Sequence, residues 1–165
     1  MTARWIVAGL ALCVSAFFIL RPPNVGVGAE AKEFTLYNER SKPVSLSGLR
    51  GKVVVLDFWA SWCGPCRAAM PAMQRLHDTY HKRDTVVMGI NVNDDKDPVQ
   101  FMLDQGHTYP TLVNGDEVAT EYQVRGIPTL VIIGRSGEIL FKQSGWAPQF
   151  ESQMAAIIEQ ELAGK

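Results

Sequence analysis

Two cysteines separated by two residues, Cys63 and Cys66, are the side chains whose types and spacing point most directly to chemistry. The dipeptide between them, Gly64-Pro65, suits the first turn of a helix, where the missing proline donor costs nothing. Sulfurs placed in this way reach bonding distance with little backbone movement. The unpaired N–H groups and the dipole at a helix start favour an anion, so we expect the Cys63 thiolate to be the nucleophile. The motif predicts a redox site.

A structural staple is the alternative interpretation of this pair, because exported domains use disulfides in that way. A loop as short as the one between Cys63 and Cys66 removes little entropy from the unfolded chain, which makes a staple a poor explanation. The redox interpretation predicts that the Cys63 thiolate attacks a partner disulfide and forms a mixed disulfide. Cys66, deeper in the helix, is then the resolving thiol that releases the partner.

Asp57 interrupts an otherwise apolar run six residues before Cys63. A carboxyl in such a position pays a desolvation cost, so its pKa should be raised. A carboxyl with a raised pKa near Cys66 can accept a proton, which makes Asp57 a candidate general base. The alternative is an aspartate that points to solvent from a strand at the edge of the sheet.

The elements that must position these residues follow from hydrophobic periodicity and turn residues. An apolar run at 53–59 predicts the central strand, and a helix should run from Gly64 to about Arg83 with a kink at Pro71. The other predicted elements are a hairpin of 33–36 and 43–46, strands at 86–92, 111–113, 129–133 and 139–143, and helices at 99–105, 117–122 and 150–162. This order predicts an α/β fold with a mixed sheet and helices on both faces.

Residues 58–66, Phe-Trp-Ala-Ser-Trp-Cys-Gly-Pro-Cys, resemble the active site of thioredoxin, and Gly-Ile-Pro-Thr at 126–129 resembles the cis-proline loop of that family. The two pieces are further apart than in a minimal thioredoxin. Residues 91–109 supply the extra length as a strand end, an acidic loop and a short helix. That insertion is typical of membrane-tethered TlpA/ResA-like thiol-disulfide proteins, and the resemblance covers about residues 33–163.

The resemblance implies a thioredoxin fold, with a central mixed β-sheet flanked by helices, a TlpA-like βα insertion and an N-terminal hairpin. It also implies a cis bond before Pro128, which places the Ile127 backbone beside the cysteines to pair with an extended substrate. Trp62, Gly64 and Pro65 would complete the substrate-binding surface. The Cys63–Cys66 disulfide would be the redox centre, with no cofactor or metal besides it.

Two positions depart from the TlpA/ResA pattern. Those proteins usually carry asparagine where this chain has Asp57, and a glutamate three residues after the second cysteine, where this chain has Ala69. The acid is therefore expected in its thioredoxin location, and Asp57 is the only candidate general base. These departures also weaken the inference that this chain shares apocytochrome c, the substrate of ResA.

The bulk composition excludes several classes of function. A chain of 165 residues with net charge −1 has room for one main domain, and no basic stripe indicates nucleic-acid binding. Its third cysteine, Cys13, lies in the apolar N-terminal stretch, so no second Cys pair is present for a tetrahedral zinc site. His77 and His81 have metal-binding spacing, but without an evident third ligand a solvated pair is the better interpretation.

The N-terminal segment predicts export. Residues 5–20 carry no charge and lie between Arg4 and Arg21, and a Pro/Gly-rich tether follows at 22–28. We divide the chain into residues 1–29, a signal anchor or a signal peptide cleaved after Ala29, with a tether, and residues 30–165, a thioredoxin-like domain. The expected location is the bacterial cell envelope, in the periplasm or on the outer face of the cytoplasmic membrane, with residues 5–20 as the anchor.

The predicted function is thiol-disulfide exchange outside the cytoplasm. Gly64-Pro65 resembles the dipeptide of reducing thioredoxins, so the expected direction is reduction of disulfides in exported client proteins, with cytochrome c maturation among the open roles. Such a reductant needs a transmembrane electron donor. The alternatives are a disulfide oxidase or isomerase and a Sco-like copper-delivery protein, although that class uses three residues between its cysteines and a distal histidine. A peroxidase would need a peroxide-reacting cysteine in a Pro/Thr-rich loop, and an interaction module would not need Cys63.

Overall fold

A computed structural model of the chain describes residues 26–164. Its strands are β1 (Thr35–Asn38), β2 (Pro43–Ser45), β3 (Val53–Trp59), β4 (Thr85–Asn91), β5 (Thr111–Val113), β6 (Thr129–Ile133) and β7 (Ile139–Ser144). They form one seven-stranded sheet in the order β2-β1-β5-β4-β3-β6-β7. Strands β3, β4 and β5 run parallel, whereas β6 and β7 on one side and β1 and β2 on the other pair antiparallel. The predicted mixed sheet is confirmed.

Strand β3 lies inside the sheet and is buried along its whole length. Because side chains alternate across a strand, it feeds two apolar clusters. Val54, Leu56 and Phe58 belong to the cluster on one face, and Val53, Val55 and Trp59 to the cluster on the other, which also contains both motif cysteines. A strand covered on both faces explains why the sequence here is an almost continuous apolar run.

Within residues 26–164, four α-helices cover the two faces of the sheet. They are α1 (Gly64–Tyr80), α2 (Pro98–Asp104), α3 (Asp116–Glu121) and α4 (Gln149–Ala163). The buried side chains of α1, α2 and α4 pack into the cluster that holds the cysteines, and those of α3 into the opposite cluster. The prediction of helices on both faces is therefore confirmed.

The predicted element bounds differ from the observed ones mainly at turns. Strand β1 begins two residues later than expected and also ends two residues later, at Asn38, whose side chain accepts hydrogen bonds from the backbone N–H groups of Arg40 and Lys42 and so fixes the start of the turn. Helix α1 ends at Tyr80 instead of near Arg83, and the chain then turns with Asp84 at a φ of 50°. Pro71 lies within α1, as the sequence indicated.

The start of the described chain is attached to the edge of the sheet. The N–H of Gly28 donates to the carbonyl of Ile139, the N–H of Ile139 donates to Ala29, and the N–H of Ala31 donates to Gly137. Within residues 26–164, no helix has the length and apolar character needed to cross a bilayer. The anchor predicted at residues 5–20 lies outside the described residues, and the division at residue 29 stays a prediction.

Candidate active site

The two motif cysteines form a disulfide at the start of α1. Their Cα atoms are 5.2 Å apart, and Cys63 is the N-cap residue of the helix. The backbone N–H of Cys66 donates to Cys63 Sγ over 3.1 Å. That hydrogen bond and the positive end of the helix both favour negative charge on this sulfur. The local geometry therefore supports Cys63 as the thiolate of the reduced form.

Cys63 is more exposed than Cys66, as attack by Cys63 on a partner disulfide requires. Cys63 is 5 % exposed, whereas Cys66 is 0 % exposed. Gly64 and Pro65 are exposed between them, and a side chain at Gly64 would meet no atom within 4 Å. A partner disulfide can therefore approach Cys63 over the start of the helix, and Cys66 is sheltered beneath it.

The proline loop lies against Cys63. The Ile127–Pro128 bond is cis, as the resemblance implied, and the Ile127 carbonyl oxygen is 3.6 Å from Cys63 Sγ. Two contacts hold the loop: the Thr129 hydroxyl donates to the Gly126 carbonyl over 2.6 Å, and the N–H of Gly145 donates to the Pro128 carbonyl over 2.8 Å. The structure thus brings together two parts of the predicted site that are 64 residues apart in sequence.

Asp57 is fully buried, on the same face of the sheet as the cysteines. It shares the side of β3 that carries Val55 and Trp59, and neither carboxyl oxygen has a hydrogen-bond partner among the described residues. Burial raises the pKa of Asp57 to about 7. The alternative of a solvent-facing aspartate at a sheet edge is therefore wrong, because β3 is an inner strand. Its role as general base stays a proposal.

A hydrogen-bonded clamp that the sequence analysis did not identify holds the turn before Cys63. Asp94, in the acidic loop of the insertion, accepts hydrogen bonds from the backbone N–H of Ser61 over 2.5 Å and from its hydroxyl over 2.7 Å. The side-chain amide of Asn91 also donates to Asp94, over 3.0 Å. Burial acts to raise the pKa of Asp94, but the hydrogen bonds from Ser61 and Asn91 lower it below its ordinary value. The insertion therefore fixes the redox turn.

Trp62 is the exposed aromatic residue beside the disulfide. Its side chain is 57 % exposed, and its indole N–H donates to the Asn93 carbonyl over 2.7 Å. Trp59 is fully buried instead, and Trp146 is partly buried against Phe150. An open groove runs from this point along α3 and is lined by Trp62, Val92, Asn93, Asp116, Ala119, Thr120, Val124, Arg125, Gly126 and Ile127.

His77 and His81, the pair with metal-binding spacing, lie together at the end of α1. The rings of His77 and His81 stack with centroids 5.1 Å apart on α1. In the part of the chain that the structure describes, residues 26–164, no group of three or more metal-ligating side chains is present. The expectation of a protein without metal or other cofactor stays a prediction.

A redox-active Cys-x-x-Cys pair on this mixed sheet places the chain in the class of thioredoxin-like thiol-disulfide oxidoreductases. A solved structure described as a thiol:disulfide interchange protein DsbE from Chlorobium tepidum superposes with a TM-score of 0.77 at 31% identity, covering 84% of this chain and 99% of that one. The predicted thioredoxin fold is therefore confirmed. The family model described as AhpC/TSA matches residues 27–142, and the chain belongs to that family.

Two curated relatives agree with this assignment. The thiol-disulfide oxidoreductase ResA of Geobacillus kaustophilus is 32% identical over 136 residues, which cover 81% of this chain and 78% of the relative. The thioredoxin-like protein YneN of Bacillus subtilis is 34% identical over 121 residues, which cover 70% of this chain and 71% of the relative. The chain is thus a thiol-disulfide oxidoreductase of the ResA/DsbE type, with Cys63 and Cys66 as its Cys-x-x-Cys pair.

Proposed function

We propose that this protein reduces disulfides of exported client proteins outside the cytoplasm. The observation that carries the proposal is the pairing of a sheltered Cys66 with a more accessible Cys63 at the N-cap of α1, beside the Ile127 carbonyl. The Gly64-Pro65 dipeptide between the cysteines resembles that of reducing thioredoxins, which supports electron flow from this protein to the client disulfide.

The proposed reaction begins with the dithiol form. The Cys63 thiolate attacks a client disulfide, so that one client sulfur forms a bond to Cys63 and the other leaves as a thiolate that takes a proton from water. Asp57 then accepts the proton of the Cys66 thiol. The Cys66 thiolate attacks Cys63 Sγ, closes the disulfide seen in the structure and releases the second client sulfur. The client gains two electrons, and the Cys63–Cys66 pair loses them.

The groove beside Trp62 is the proposed place for the client segment. It lies next to the redox centre, because its lining includes Trp62, which precedes Cys63, and Ile127, whose carbonyl oxygen is 3.6 Å from Cys63 Sγ. An extended segment there can pair with the backbone next to Pro128 while its disulfide faces Cys63. Asp116 and Arg125 lie at the same groove and offer one charge of each sign to polar client side chains.

The location and the electron supply are part of the proposal. Residues 5–20 would hold the catalytic domain at the outer face of the cytoplasmic membrane, in the cell envelope. A reductant in that compartment cannot draw on cytosolic thiols directly, so a transmembrane electron donor must return electrons to the Cys63–Cys66 disulfide. Cytochrome c maturation is one role that a relative of ResA type could serve, but Asp57 and Ala69 depart from that pattern.

The reduction potential of the Cys63/Cys66 couple, measured by equilibration against a thiol buffer, tests the direction of electron flow. A value near that of thioredoxin, about −270 mV, supports the proposed reductant. A value near that of DsbA, about −120 mV, would instead make the protein an oxidant of newly exported chains. A copper(I) titration addresses the Sco-like alternative, because stoichiometric binding would favour metal delivery.

Trapping of a mixed disulfide tests the roles of the two cysteines. Cys66→Ser should accumulate a covalent complex with a disulfide-bonded client, because the resolving thiol is missing. Cys63→Ser, the matched control, should form none, since Cys66 is buried. Equal trapping by both variants would contradict the assignment of nucleophile and resolving thiol.

A further inference from the structure

Besides Nδ1 of the partly exposed His77 on α1, two buried polar groups on the cysteine side of the sheet have no hydrogen-bond partner among residues 26–164. One is the carboxyl of Asp57, and the other is the hydroxyl of Tyr109. Tyr109 is 2 % exposed and belongs to the same apolar cluster as Cys63 and Cys66. Buried polar groups are nearly always paired, so two unpaired groups in one cluster call for an explanation.

Tyr109 lies two residues before Thr111, the residue that is two strands away from Asp57 in the sheet, and its side chain belongs to the cluster on the Asp57 face. Asp57 lies opposite Gly89 in the β3–β4 pairing, and Gly89 lies opposite Thr111 in the β4–β5 pairing. The N–H of Gly89 donates to the carbonyl of Pro110, which fixes the chain beside Tyr109. Two strand spacings amount to roughly 10 Å, and the Trp59 indole lies over the glycine in that interval. In the disulfide form that the structure shows, the Tyr109 hydroxyl and the Asp57 carboxyl are not hydrogen-bonded to each other, so a hydrogen bond between them would belong to the dithiol form.

The electrostatics of the two groups agree with this arrangement. Burial, together with the nearby charge of Asp57, raises the pKa of Tyr109 well above its ordinary value. The phenol therefore keeps its proton throughout the working pH range and is available as a donor. Asp57 is the only acidic or basic residue that is buried within residues 26–164.

Few other titratable groups face Asp57. The neighbouring strands contribute Gly89 and Leu130 at the paired positions, and neither carries a charge. In the same cluster, α1 contributes Cys63 and Cys66, and Tyr80 at its far end. Beyond Tyr109 lies the partly exposed His107, whose ring centroid is 5.9 Å from that of Tyr109, and burial lowers the pKa of this histidine.

We propose that the Tyr109 hydroxyl is the hydrogen-bond donor that stabilises the Asp57 carboxylate in the dithiol protein, which makes Tyr109 a positioning residue of the redox site. This inference rests on the proposed role of Asp57 as proton acceptor. Before resolution, the phenol donates to one carboxylate oxygen, and the other oxygen takes the proton from Cys66 Sγ. The Cys66 thiolate then attacks Cys63 Sγ and breaks the bond between Cys63 and the client. Tyr109 neither gains nor loses a proton overall.

Tyr109→Phe tests this role, because it removes the hydroxyl and keeps the ring. The full-length protein, reduced beforehand, is mixed with an aromatic disulfide that releases one coloured thiolate when Cys63 attacks and a second when Cys66 resolves. The rate of the second release is recorded from pH 5.5 to 9. Loss of a donor to the carboxylate should move the pH midpoint of that step upward by about one unit, since a hydrogen bond to a charged group is lost. The first release should keep its pH profile.

Three further variants separate this role from a general effect on the fold. Tyr122→Phe removes a phenol from the opposite cluster, where that hydroxyl donates to the Lys32 carbonyl, and should leave the midpoint unchanged. His107→Gln should also leave the midpoint unchanged, which would exclude His107 as the group whose titration sets that midpoint. In an Asp57→Asn background, Tyr109→Phe should cause no further shift, because the carboxylate that it serves is gone.

The outcomes distinguish this inference from the proposed function. A wild-type protein that releases no second thiolate would overturn the function itself. A wild-type protein that resolves with a clear midpoint, together with Tyr109→Phe at the same midpoint, would overturn the role of Tyr109 alone. If Asp57→Asn has the same pH midpoint with and without Tyr109→Phe, Tyr109 acts through Asp57, as proposed. If Tyr109→Phe still shifts the midpoint in the Asp57→Asn background, the proposed role of Tyr109 is refuted.

Discussion

Gly89 lies directly opposite Asp57 in the parallel pairing of β3 and β4, and the indole of Trp59 covers it. A Cβ atom at this glycine would be 2.6 Å from Trp59 Nε1 and 3.3 Å from Thr111 Oγ1. The same indole N–H donates to Thr111 Oγ1 over 3.2 Å. The missing side chain at Gly89 is therefore what allows an aromatic residue and a carboxyl to share one buried face beneath the redox turn.

Gly89→Ala should destabilise the protein by about 1 to 3 kcal/mol, because the added methyl group must displace the Trp59 indole in a packed cluster. Urea unfolding of the oxidised protein measures the change. Gly126→Ala is a suitable control, since a Cβ at Gly126 would meet no atom within 4 Å. Equal stability of the Gly89 variant and the wild type would mean that the indole has room to move.

Asp57→Asn should stabilise the oxidised protein at alkaline pH more than at acidic pH. Burial raises the folded-state pKa of Asp57 to about 7 from the ordinary value of 3.8. Below the ordinary value both states are protonated and this group contributes no pH dependence. Between the two values the folded state holds a proton that the unfolded state has lost, so wild-type stability falls as pH rises, and above the folded-state pKa the penalty is complete.

The difference in the free energy of unfolding between Asp57→Asn and the wild type should therefore grow from pH 4 to pH 7 and level off near pH 8. Its full size is roughly 4 kcal/mol, from a shift of about three pKa units. Denaturant titrations at pH 5 and pH 8 measure it. Asp95→Asn, a change at an exposed position in the acidic loop, should show no such pH dependence. A constant difference across the range would mean that Asp57 stays ionised in the folded protein.

The parts of this site that are local in sequence were predictable. Strand β3 was predicted with its observed bounds, because burial on both faces leaves a continuous apolar run, and its charged interruption at Asp57 stands out for the same reason. The cysteine pair is visible because its chemistry depends on spacing within one helical turn. Ile127 and Pro128 were identified only through the resemblance, since Gly-Ile-Pro-Thr is compatible with an ordinary turn.

The parts that depend on contacts between distant elements were not predictable. Asp94 is one of several acids in a loop, and only the fold shows that Ser61 donates to it twice. Tyr109 precedes a proline and reads as a loop residue, yet the pairing of β4 with β5 buries it. The addition of the N-terminal hairpin to the sheet through β1 and β5 also has no local signal, because edge pairing depends on backbone groups rather than on side-chain pattern.

Asp94→Asn should loosen the redox turn, because an amide keeps only one of the oxygens that accept hydrogen bonds from Ser61. We expect a loss of about 1 to 2 kcal/mol in the free energy of unfolding at neutral pH. The pKa of Asp94 is depressed in the folded protein, so this contribution is present above its ordinary pKa and is lost as pH falls through the lower folded-state value. The difference between Asp94→Asn and the wild type should therefore shrink below pH 4, whereas Asp95→Asn should match the wild type throughout.

Trp62→Ala should impair exchange with protein clients far more than it changes stability. The ring is 57 % exposed, so its removal uncovers little of the core, but it lines the groove in which we place the client. Removal of an aromatic contact of this kind should lower kcat/KM for a disulfide-bonded protein about tenfold, mainly through KM. The rate with a small disulfide, which does not occupy the groove, should change little. Tyr37→Ala, at a site on β1 that is 55 % exposed, is the matched control and should leave both rates unchanged. An equal loss with both substrates would place Trp62 in the chemistry of Cys63 rather than in client binding.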